Sequence, residues 1–413
     1  MKLESVNKAA ENLRGVIKNT PLEKNDRLSK LFNATVLLKR EDLQVVRSYK
    51  LRGAYNKISK LTKPQRFHGV VCASAGNHAQ GVALACALLE IKGVIYMPVT
   101  TPKQKITQVE LFAKGWCEIR LHGDTFDDAQ AAAHEFCRVN KATFVHPFDD
   151  KDVIAGQGTV GLEILKDTKT HIDYLVLPIG GGGLAAGVLT VFKELSPKTK
   201  IIGVEPAGAR SMQLALDEGQ PTEVPVIDKF VDGAAVKKVG ENNFEICKDS
   251  LDRVVAVPEG KVCSTILELY NNDAMVVEPA GVLAIAALDQ LKDEVKDSSV
   301  VCVVSGGNND INRTEEIREK ALLYEGKKHY FVIEFPQRPG ALKEFVSDVL
   351  GEKDDITHFQ FTKRNNKENG PAVVGVELST NEDLETLKAN LNRKKFGFTY
   401  LNDDTLLFNQ LVG

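Results

Sequence analysis

The stretch "PIGGGGLAAG", residues 178–187, indicates the class of fold to which the chain belongs. It continues the apolar run "YLVLPIG" and leads into "LAAGVLTVFKEL", which is apolar at helical spacing. Four successive glycines between a buried strand and a buried helix let backbone amides turn inward around a phosphate, at a helix N-terminus whose dipole favours an anion. A plain flexible turn is the alternative interpretation.

Short apolar runs alternate with helical patterns between residues 35 and 310. Continuous apolar strands separated by helices are typical of parallel strands buried on both faces, so we predict an α/β fold with mainly parallel open sheets flanked by helices. Ligands bind such sheets beyond the carboxyl ends of the strands. The predicted strands are "TVLLKRE", "GVVCASA", "KGVIYMP", "CEIRLHG", "ATFVHP", "YLVLPIG", "IIGVEP", "RVVAVPE" and "VVCVVSG".

Composition and charge narrow the possible functions. The chain has 413 residues, more than one ordinary core can organise, so two or three domains are expected. A net charge of −3 argues against nucleic acid or an anionic membrane as partner. No apolar run approaches the ~20 residues of a membrane helix, and the N-terminus lacks the apolar core of a signal peptide.

The seven cysteines are an odd number, and none forms a CxxC pair. This spacing suggests neither a disulfide framework nor a zinc site, and we predict no metal ligand set. We therefore expect a reducing, cytoplasmic compartment.

A separate module follows residue 309, where the composition changes. The segment "NDINRTEEIREKALLYEGKKH" is typical of a charged helical connector. After it, the order strand–helix–strand–strand–helix–strand over about 85 residues predicts a ferredoxin-like βαββαβ domain. We place a catalytic domain at residues 1–310, the connector at 311–327 and the small domain at 328–413.

Two further strand ends carry loops with polar groups. In "ASAGNHAQG", residues 73–81, Ser74, Asn77 and the free amides of a helix N-terminus form either an anion cradle or an ordinary capped turn. In "VVSGGNND", residues 303–310, the hydroxyl of Ser305 is placed to meet a ring nitrogen or to cap the next turn.

The glycine loop also has a rival interpretation. Gly181, Gly183 and Ala186 approximate the G-x-G-x-x-A pattern of dinucleotide-binding proteins, and Glu205 ends the next strand about twenty residues on. Locally this pattern fits an NAD site, and a dehydrogenase is the alternative enzyme class.

Lys50, in the stretch "SYKLRGA", favours a different cofactor. A lysine is usually a solvated surface residue. A lysine, a glycine phosphate cradle and a serine at a third strand end are together the parts that hold pyridoxal phosphate. The lysine bonds the aldehyde, the glycines hold the phosphate, and Ser305 meets the pyridine nitrogen. A dehydrogenase would leave "SYKLRGA" and "SGGN" unexplained.

Eight motifs occur in the order seen in threonine dehydratases, pyridoxal-phosphate enzymes of the tryptophan-synthase-β fold type. They are "SYKLRGA", "SAGNHAQG", "HPFDDKDVIAGQGT", "PIGGGGLAAG", "GVEP", "VDGAAV", "EPAGVLA" and "SGGN". The segment "YFVIEFPQRPGALKEF" resembles the ACT-like regulatory domain of the biosynthetic enzymes, in a single copy. The resemblance covers nearly the whole chain. It implies a two-lobed catalytic domain (pyridoxal-phosphate fold type II), with a small lobe of roughly residues 50–150 inserted in the large lobe.

The resemblance also implies roles for individual residues. Lys50 would bond the cofactor and act as the base, and Ser305 would meet the ring nitrogen. The remaining cofactor contacts would be Tyr49 beside the ring, Asn77 at the 3′-oxygen, Glu278 near the ring, and the amides of Gly180, Gly181, Gly182, Gly183 and Leu184 at the phosphate. The substrate carboxylate would be held by Ser74, Gly76, Asn77 and His78, the last through its backbone rather than as a base.

The implied reaction is β-elimination from L-threonine to 2-oxobutanoate and ammonia, the first step of isoleucine biosynthesis. Serine racemases resemble the chain, but they carry a serine base before the Gly-Asn pair, where this sequence has Ala75. Their metal-binding glutamate and aspartate correspond to Glu205 and Ser211, which puts that metal site in doubt.

Asp149 and Asp150 are expected to cap a helix rather than to act as catalytic carboxylates. A sensor without turnover is disfavoured because the lysine, serine and glycine positions are intact.

The C-terminal module implies feedback control by isoleucine. Arg338, Pro339 and Gly340 mark the strand-to-helix loop where ACT-type domains hold amino acids. The alternative is that the module only mediates assembly. One such unit per chain must pair across subunits to complete a site, so we expect a homo-oligomer, either a dimer or a tetramer.

Overall fold

The chain is described by a computed structural model that covers residues 1–361 and 368–412. It divides into two compact units, Met1–Asn312 and a second unit that begins at Arg313. Within the described residues, no helix is long and apolar enough to cross a membrane.

The first unit contains ten strands and fourteen α-helices. The strands are β1 (Leu22–Lys24), β2 (Thr35–Arg40), β3 (Val70–Ala73), β4 (Gly93–Met97), β5 (Cys117–Leu121), β6 (Thr143–Phe144), β7 (Tyr174–Pro178), β8 (Lys200–Pro206), β9 (Arg253–Val257) and β10 (Ser299–Val304). The helices are α1 (Leu3–Asn12), α2 (Asp26–Phe32), α3 (Lys50–Ser59), α4 (Lys63–His68), α5 (Asn77–Leu89), α6 (Lys103–Ala113), α7 (Phe126–Asn140), α8 (Lys151–Asp167), α9 (Gly183–Leu195), α10 (Ser211–Glu218), α11 (Glu241–Cys247), α12 (Glu259–Asp273), α13 (Pro279–Ala286) and α14 (Leu288–Val295).

The strands form two sheets. The larger sheet has the order β1-β2-β10-β7-β8-β9, and all its neighbours are parallel except β1 and β2. The smaller sheet, β5-β4-β3-β6, is wholly parallel. The predicted α/β class with mainly parallel sheets is therefore confirmed. The antiparallel edge strand β1 was not predicted, because its three residues are too short to show a period.

Each sheet has its own core because its strands and covering helices are apolar on their facing sides. In β10, the five residues Val300–Val304 are fully buried, and all eight residues of α13 are buried. A separate cluster that includes Ile95 and Val82 covers the smaller sheet. The first unit therefore has two lobes, and the loops at their strand ends carry the predicted site residues.

A buried charge network fixes helix α3, which begins at Lys50. Arg52 donates to Glu41 at 2.8 Å and to Glu163 at 2.7 Å, and Lys39 donates to Glu163 at 2.6 Å. The side chains of Arg52 and Lys39 are 0% exposed. Removing one member would leave an uncompensated buried charge, which is strongly destabilising. This network therefore ties α3 to β2 and α8.

The described residues of the second unit form an antiparallel sheet with helices packed against it. Its strands are β11 (Lys328–Pro336), β12 (Asp355–Phe361), β13 (Asn369–Glu377) and β14 (Gly397–Tyr400), in the order β12-β13-β11-β14. Its helices are α15 (Thr314–Tyr324), α16 (Ala341–Asp348), α17 (Asp383–Arg393) and α18 (Thr405–Leu411). The chain order from β11 to β14 is the predicted βαββαβ order. The core packs Phe331, Phe335 and Phe345 against the buried residues of β13 and α17.

Candidate active site

Lys50 is the first residue of α3, and its amine points at backbone rather than at a carboxylate. Nζ donates to the carbonyl oxygen of Pro147 at 2.8 Å and lies 5.6 Å from the ring centroid of Tyr49. Burial lowers the pKa of Lys50 from 10.5 to about 8, and the negative charge of Glu278 opposes part of this shift. A substantial fraction of Lys50 is therefore neutral near physiological pH, as a nucleophile or a base requires.

The glycine loop lies between β7 and α9 and presents free amides. Gly182 has a φ of 91°, which glycine adopts at no steric cost. A Cβ atom at Gly181 would lie 2.3 Å from Cγ of Phe148, so a side chain is excluded there. The first-turn amides of Gly183 and Leu184 have no acceptor among the described residues. These unpaired donors at a helix N-terminus suit a phosphate dianion.

A second set of free amides begins α5. Gly76 is the N-cap of this helix and donates its own N–H to Oγ of Ser74 at 3.2 Å. A Cβ atom at Gly76 would meet nothing within 4 Å, so open space lies in front of this helix end. The strand-to-helix geometry therefore leaves room for a small anion beside Ser74, Gly76 and Asn77.

His78 lies in the first turn of α5 and is neutral. Its Nε2–H donates to the carbonyl oxygen of Val145 at 2.8 Å. Burial and the nearby Lys50 lower the pKa of His78 to about 3. Its Nδ1 is buried without a hydrogen-bond partner in the described part of the chain. The side chain is thus held by a hydrogen bond to the backbone, and the assignment of the base role to Lys50 rather than to this imidazole stays a prediction.

Ser305 and Glu278 lie beside Lys50. The backbone carbonyl of Ser305 accepts from the N–H of Tyr49 at 3.3 Å, and its hydroxyl donates to the carbonyl of Ala280 at 3.3 Å. Glu278 accepts from the side-chain amide of Asn77 at 2.6 Å. Burial raises the pKa of Glu278 to about 7. The structure therefore brings together the predicted residues of all three strand ends.

The residues present fit pyridoxal phosphate. A partly neutral lysine, an amide cradle without internal acceptors, and a buried hydroxyl match an aldehyde, a phosphate and a ring nitrogen respectively. The alternative NAD site fits poorly, because Glu205 already accepts from the amides of Met212 at 2.6 Å and Gln213 at 3.0 Å. This carboxylate caps α10 and is not available to a ribose.

The acidic residues of the "HPFDD" stretch cap helices. Asp150 accepts from Asp152 N at 2.8 Å at the start of α8. Asp149 accepts from Glu241 N and Asn242 N, both at 3.0 Å, at the start of α11. No group of three or more His, Cys, Asp or Glu side chains in residues 1–361 and 368–412 is placed to hold a metal ion.

Several residues of the site were missed by the sequence interpretation, among them Pro147, Asn308 and Asn243. Pro147 and Asn308 lie in the quoted motifs "HPFDD" and "SGGN", but no role was assigned to either. Asn243 lies in no motif, although its amide donates to the carbonyl of Gly181 at 2.7 Å. The position of Pro147 and Asn308 next to recognised motif residues could have indicated a role in the site, whereas no local sequence signal points to Asn243.

Comparison with known proteins identifies the family. Residues 13–306 match the pyridoxal-phosphate dependent enzymes, and residues 319–411 match the C-terminal regulatory domain of threonine dehydratase. A biosynthetic L-threonine dehydratase IlvA of Halalkalibacterium halodurans is 56% identical and aligns with 100% of this chain and 99% of its own length. The chain belongs to the biosynthetic threonine dehydratases.

Other members of this family agree. The biosynthetic L-threonine dehydratase IlvA of Bacillus subtilis is 54% identical over 100% of this chain and 98% of its own. The solved structure of threonine deaminase isoform 2 from Solanum lycopersicum superposes with a TM-score of 0.74 at 40% identity, covering 77% of this chain and 87% of that chain. The pyridoxal phosphate cofactor and the regulatory character of the C-terminal domain are thereby confirmed, and the dehydrogenase alternative is wrong.

Proposed function

We propose that the chain is an L-threonine ammonia-lyase, which converts L-threonine to 2-oxobutanoate and ammonia. The observation that carries this proposal is the position of Lys50, whose amine has a pKa of about 8 and lies among loops from three strand ends. Membership of the threonine dehydratases supplies the substrate class.

Groups of this chain would hold the cofactor at both of its ends. Lys50 would bond the aldehyde carbon, and the amides of the glycine loop and of Leu184 would donate to the phosphate. Tyr49 and Asn77 would flank the ring, Asn77 at its 3′-oxygen, and Glu278 would lie near the ring. When bound, pyridoxal phosphate withdraws electrons from the bonds at the substrate Cα.

Lys50 would also serve as the general base. Its amine, which donates to the carbonyl of Pro147, would take the proton from the substrate Cα. Because its pKa is about 8, it is a weaker base than an ordinary lysine but is deprotonated at a pH where an ordinary lysine is not.

Ser305 and the N-terminus of α5 direct the outcome. A serine hydroxyl, unlike a carboxylate, would not stabilise a proton on the ring nitrogen of the cofactor. This would favour loss of the β-hydroxyl, protonated to water, over reprotonation at Cα. The carboxylate of the substrate accepts from the amides at Gly76, Asn77 and His78 and from the hydroxyl of Ser74. Ala75 carries no acid or base, which disfavours racemisation.

The first test is an absorbance spectrum of the purified protein before and after borohydride, followed by peptide mapping. We expect a violet-region band that reduction traps on Lys50, and release of 2-oxobutanoate from L-threonine. The Lys50→Ala variant should lack the trapped adduct and lose activity by about 10²- to 10⁴-fold or more. A protein that binds no pyridoxal phosphate, or that traps it elsewhere, would contradict the proposal.

We further propose that isoleucine controls the enzyme through the second unit. Support comes from the match to a regulatory domain and from the loop between β11 and α16. In this loop Gly340 has a φ of 85°, and Arg338 forms an ion pair with Glu344. Pairing of two such units in a dimer or tetramer would complete the site.

Arg338→Ala tests this control, with Arg393→Ala as the matched control in the same unit. Arg338→Ala should keep the rate on threonine without effector and reduce inhibition by isoleucine, whereas Arg393→Ala should retain it. Gel filtration with light scattering measures the oligomer. Isoleucine inhibition that is unchanged in Arg338→Ala would exclude this loop as the effector site.

A further inference from the structure

The segment His146–Asp150 connects β6 to α8 and contacts several parts of the candidate active site. Its last two residues cap helices α11 and α8. Its first three residues, His146, Pro147 and Phe148, lie between Lys50 and the glycine loop. These three residues therefore link the amine of Lys50 physically to the glycine loop.

His146 shapes the turn through a single acceptor atom. Its Nδ1 accepts from the N–H of Phe148 at 3.3 Å and from the N–H of Asp149 at 2.7 Å. Burial lowers the pKa of His146 to about 4, with Lys50 and His134 acting in the same direction and Asp149 and Asp150 opposing them. Nδ1 is therefore unprotonated at neutral pH and available to accept. The resulting turn directs the carbonyl of Pro147 at Nζ of Lys50, 2.8 Å away.

The ring and the backbone carbonyl of Phe148 pack against the glycine loop. A Cβ atom at Gly181 would lie 2.3 Å from its ring, and a Cβ atom at Gly183 would lie 2.8 Å from its carbonyl oxygen. The loop backbone and Phe148 are therefore in direct contact, with no room for a side chain between them.

Asn243, on α11, donates hydrogen bonds to both the glycine loop and Phe148. Its side-chain amide donates to the carbonyl of Gly181 at 2.7 Å and to the carbonyl of Phe148 at 3.2 Å. Asn243 is 0% exposed, the hydrogen bond to the Phe148 carbonyl is partly buried, and the carbonyl of Gly181 also accepts from the N–H of Gly240 at 3.1 Å. Without the Asn243 amide, the two carbonyls would lose the donor that they share, which is costly where the acceptor is buried.

We propose that His146, Phe148 and Asn243 act as positioning residues that hold the Lys50 amine and the phosphate-binding loop at a fixed separation. We call these three residues the clasp. They do not touch the reacting atoms. His146 sets the carbonyl that holds the amine, and Phe148 and Asn243 set the loop that holds the phosphate. The inference rests on the proposed function, because it assigns the clasp to the same cofactor site.

Two substitutions separate the acceptor role of His146 from its packing. In His146→Asn, the side-chain oxygen can accept from the N–H groups two and three residues on, as in an Asx turn. In His146→Phe, the ring keeps its edge contacts with Phe144 and Phe148 but has no acceptor. We therefore expect His146→Asn to retain the acceptor role of His146 and His146→Phe to lose it.

The measurement is the rate at which apo-protein attaches pyridoxal phosphate to Lys50, followed by absorbance after mixing and confirmed by borohydride and peptide mapping. His146→Phe should attach about tenfold more slowly, the size expected when hydrogen bonds to two partly buried backbone amides are lost. His146→Asn should stay close to the parent protein. Equal rates for all three proteins, or equal slowing of both variants, would overturn the role of His146.

Asn243→Ala tests the other half of the clasp and remains informative if His146→Phe fails to fold. It should weaken equilibrium binding of pyridoxal phosphate about tenfold or more while leaving binding of pyridoxal, which lacks the phosphate, unchanged. Equal loss for both ligands, or no loss, would overturn the clasp. A parent protein that attaches no pyridoxal phosphate would instead overturn the proposed function, and the clasp with it.

Discussion

The side-chain amide of Asn77 donates a 2.6 Å hydrogen bond to Oε1 of Glu278. Asn308 completes a triangle, because its backbone N–H donates to Oε2 of Glu278 at 3.2 Å and its side-chain amide donates to Oδ1 of Asn77. Both ends of the Asn77 side chain are thus fixed. Burial raises the pKa of Glu278 to about 7, with repulsion from Asp232 in the same direction and the two asparagine donors opposing it.

The protonation state of Glu278 should affect the absorbance spectrum of bound pyridoxal phosphate. If the ring lies beside Glu278, a change of its charge near pH 7 should shift the absorbance band, and Glu278→Gln should remove that inflection. The measurement is a spectrophotometric titration of both proteins between pH 6 and 8. Glu205→Gln is the matched control, because burial also raises the pKa of Glu205 to about 7 but this residue caps α10. An inflection that survives Glu278→Gln and disappears in the control would reverse the assignment.

Glu205 should affect stability rather than the spectrum. Burial raises its pKa from 4.5 to about 7, so between these values the folded protein binds a proton that the unfolded chain does not. This carboxyl therefore contributes stability at low pH, and that contribution is lost as the pH rises through about 7. The free energy of unfolding of the parent minus that of Glu205→Gln should grow by about 1 kcal/mol per pH unit as the pH falls from 7 towards 5.

Chemical denaturation of both proteins at several pH values measures this difference. The control is Glu218→Gln, which changes an exposed carboxyl at the last residue of α10, the helix that Glu205 caps. A constant difference between parent and Glu205→Gln across the pH range would mean that the carboxyl titrates normally in the folded protein.

The sequence predicted the elements and loops whose signals are local. The apolar strand β10 and the glycine loop each follow from a pattern within a few residues, and the βαββαβ order of the second unit follows from a succession of such local patterns. By contrast, Asn308 and Asn77 are 231 residues apart, and Asn243 is 62 residues from Gly181. Contacts of this kind depend on how elements that are distant in the chain pack together, and a single sequence does not show which residues become neighbours in space. Likewise, nothing local predicts which carbonyl meets Lys50.

Two glycines of the site should respond differently to the same substitution. In Gly181→Ala, the new methyl group would overlap the Phe148 ring at 2.3 Å, so the loop must move. We expect weaker binding of pyridoxal phosphate and a loss of stability of about 1–3 kcal/mol, the usual cost of overpacking. In Gly76→Ala, the methyl group enters open space at an ordinary φ of −133°.

Gly76→Ala should therefore fold and bind the cofactor normally but raise KM for threonine, since its methyl group occupies the space assigned to the substrate. Thermal unfolding, cofactor titration and steady-state kinetics on the two variants measure stability, cofactor affinity and KM respectively. A normal KM in Gly76→Ala would remove this helix end from the substrate site. Normal cofactor binding in Gly181→Ala would show that the loop tolerates displacement.

The lowered pKa of Lys50 can be measured directly in the apo-protein. The neutral amine is the nucleophile, so acylation of Lys50 by acetic anhydride should rise with pH and level off above about 8, well below the ordinary lysine value of 10.5. Mass spectrometry of the Lys50 peptide gives the rate, with the exposed Lys103 in the same sample as reference. The negative charge of Glu278 favours the protonated amine, so Glu278→Gln should move the midpoint to still lower pH. A midpoint near 10.5 in the parent protein would contradict the desolvated environment of Lys50, and a midpoint that rises in Glu278→Gln would contradict the proposed sign of the Glu278 effect.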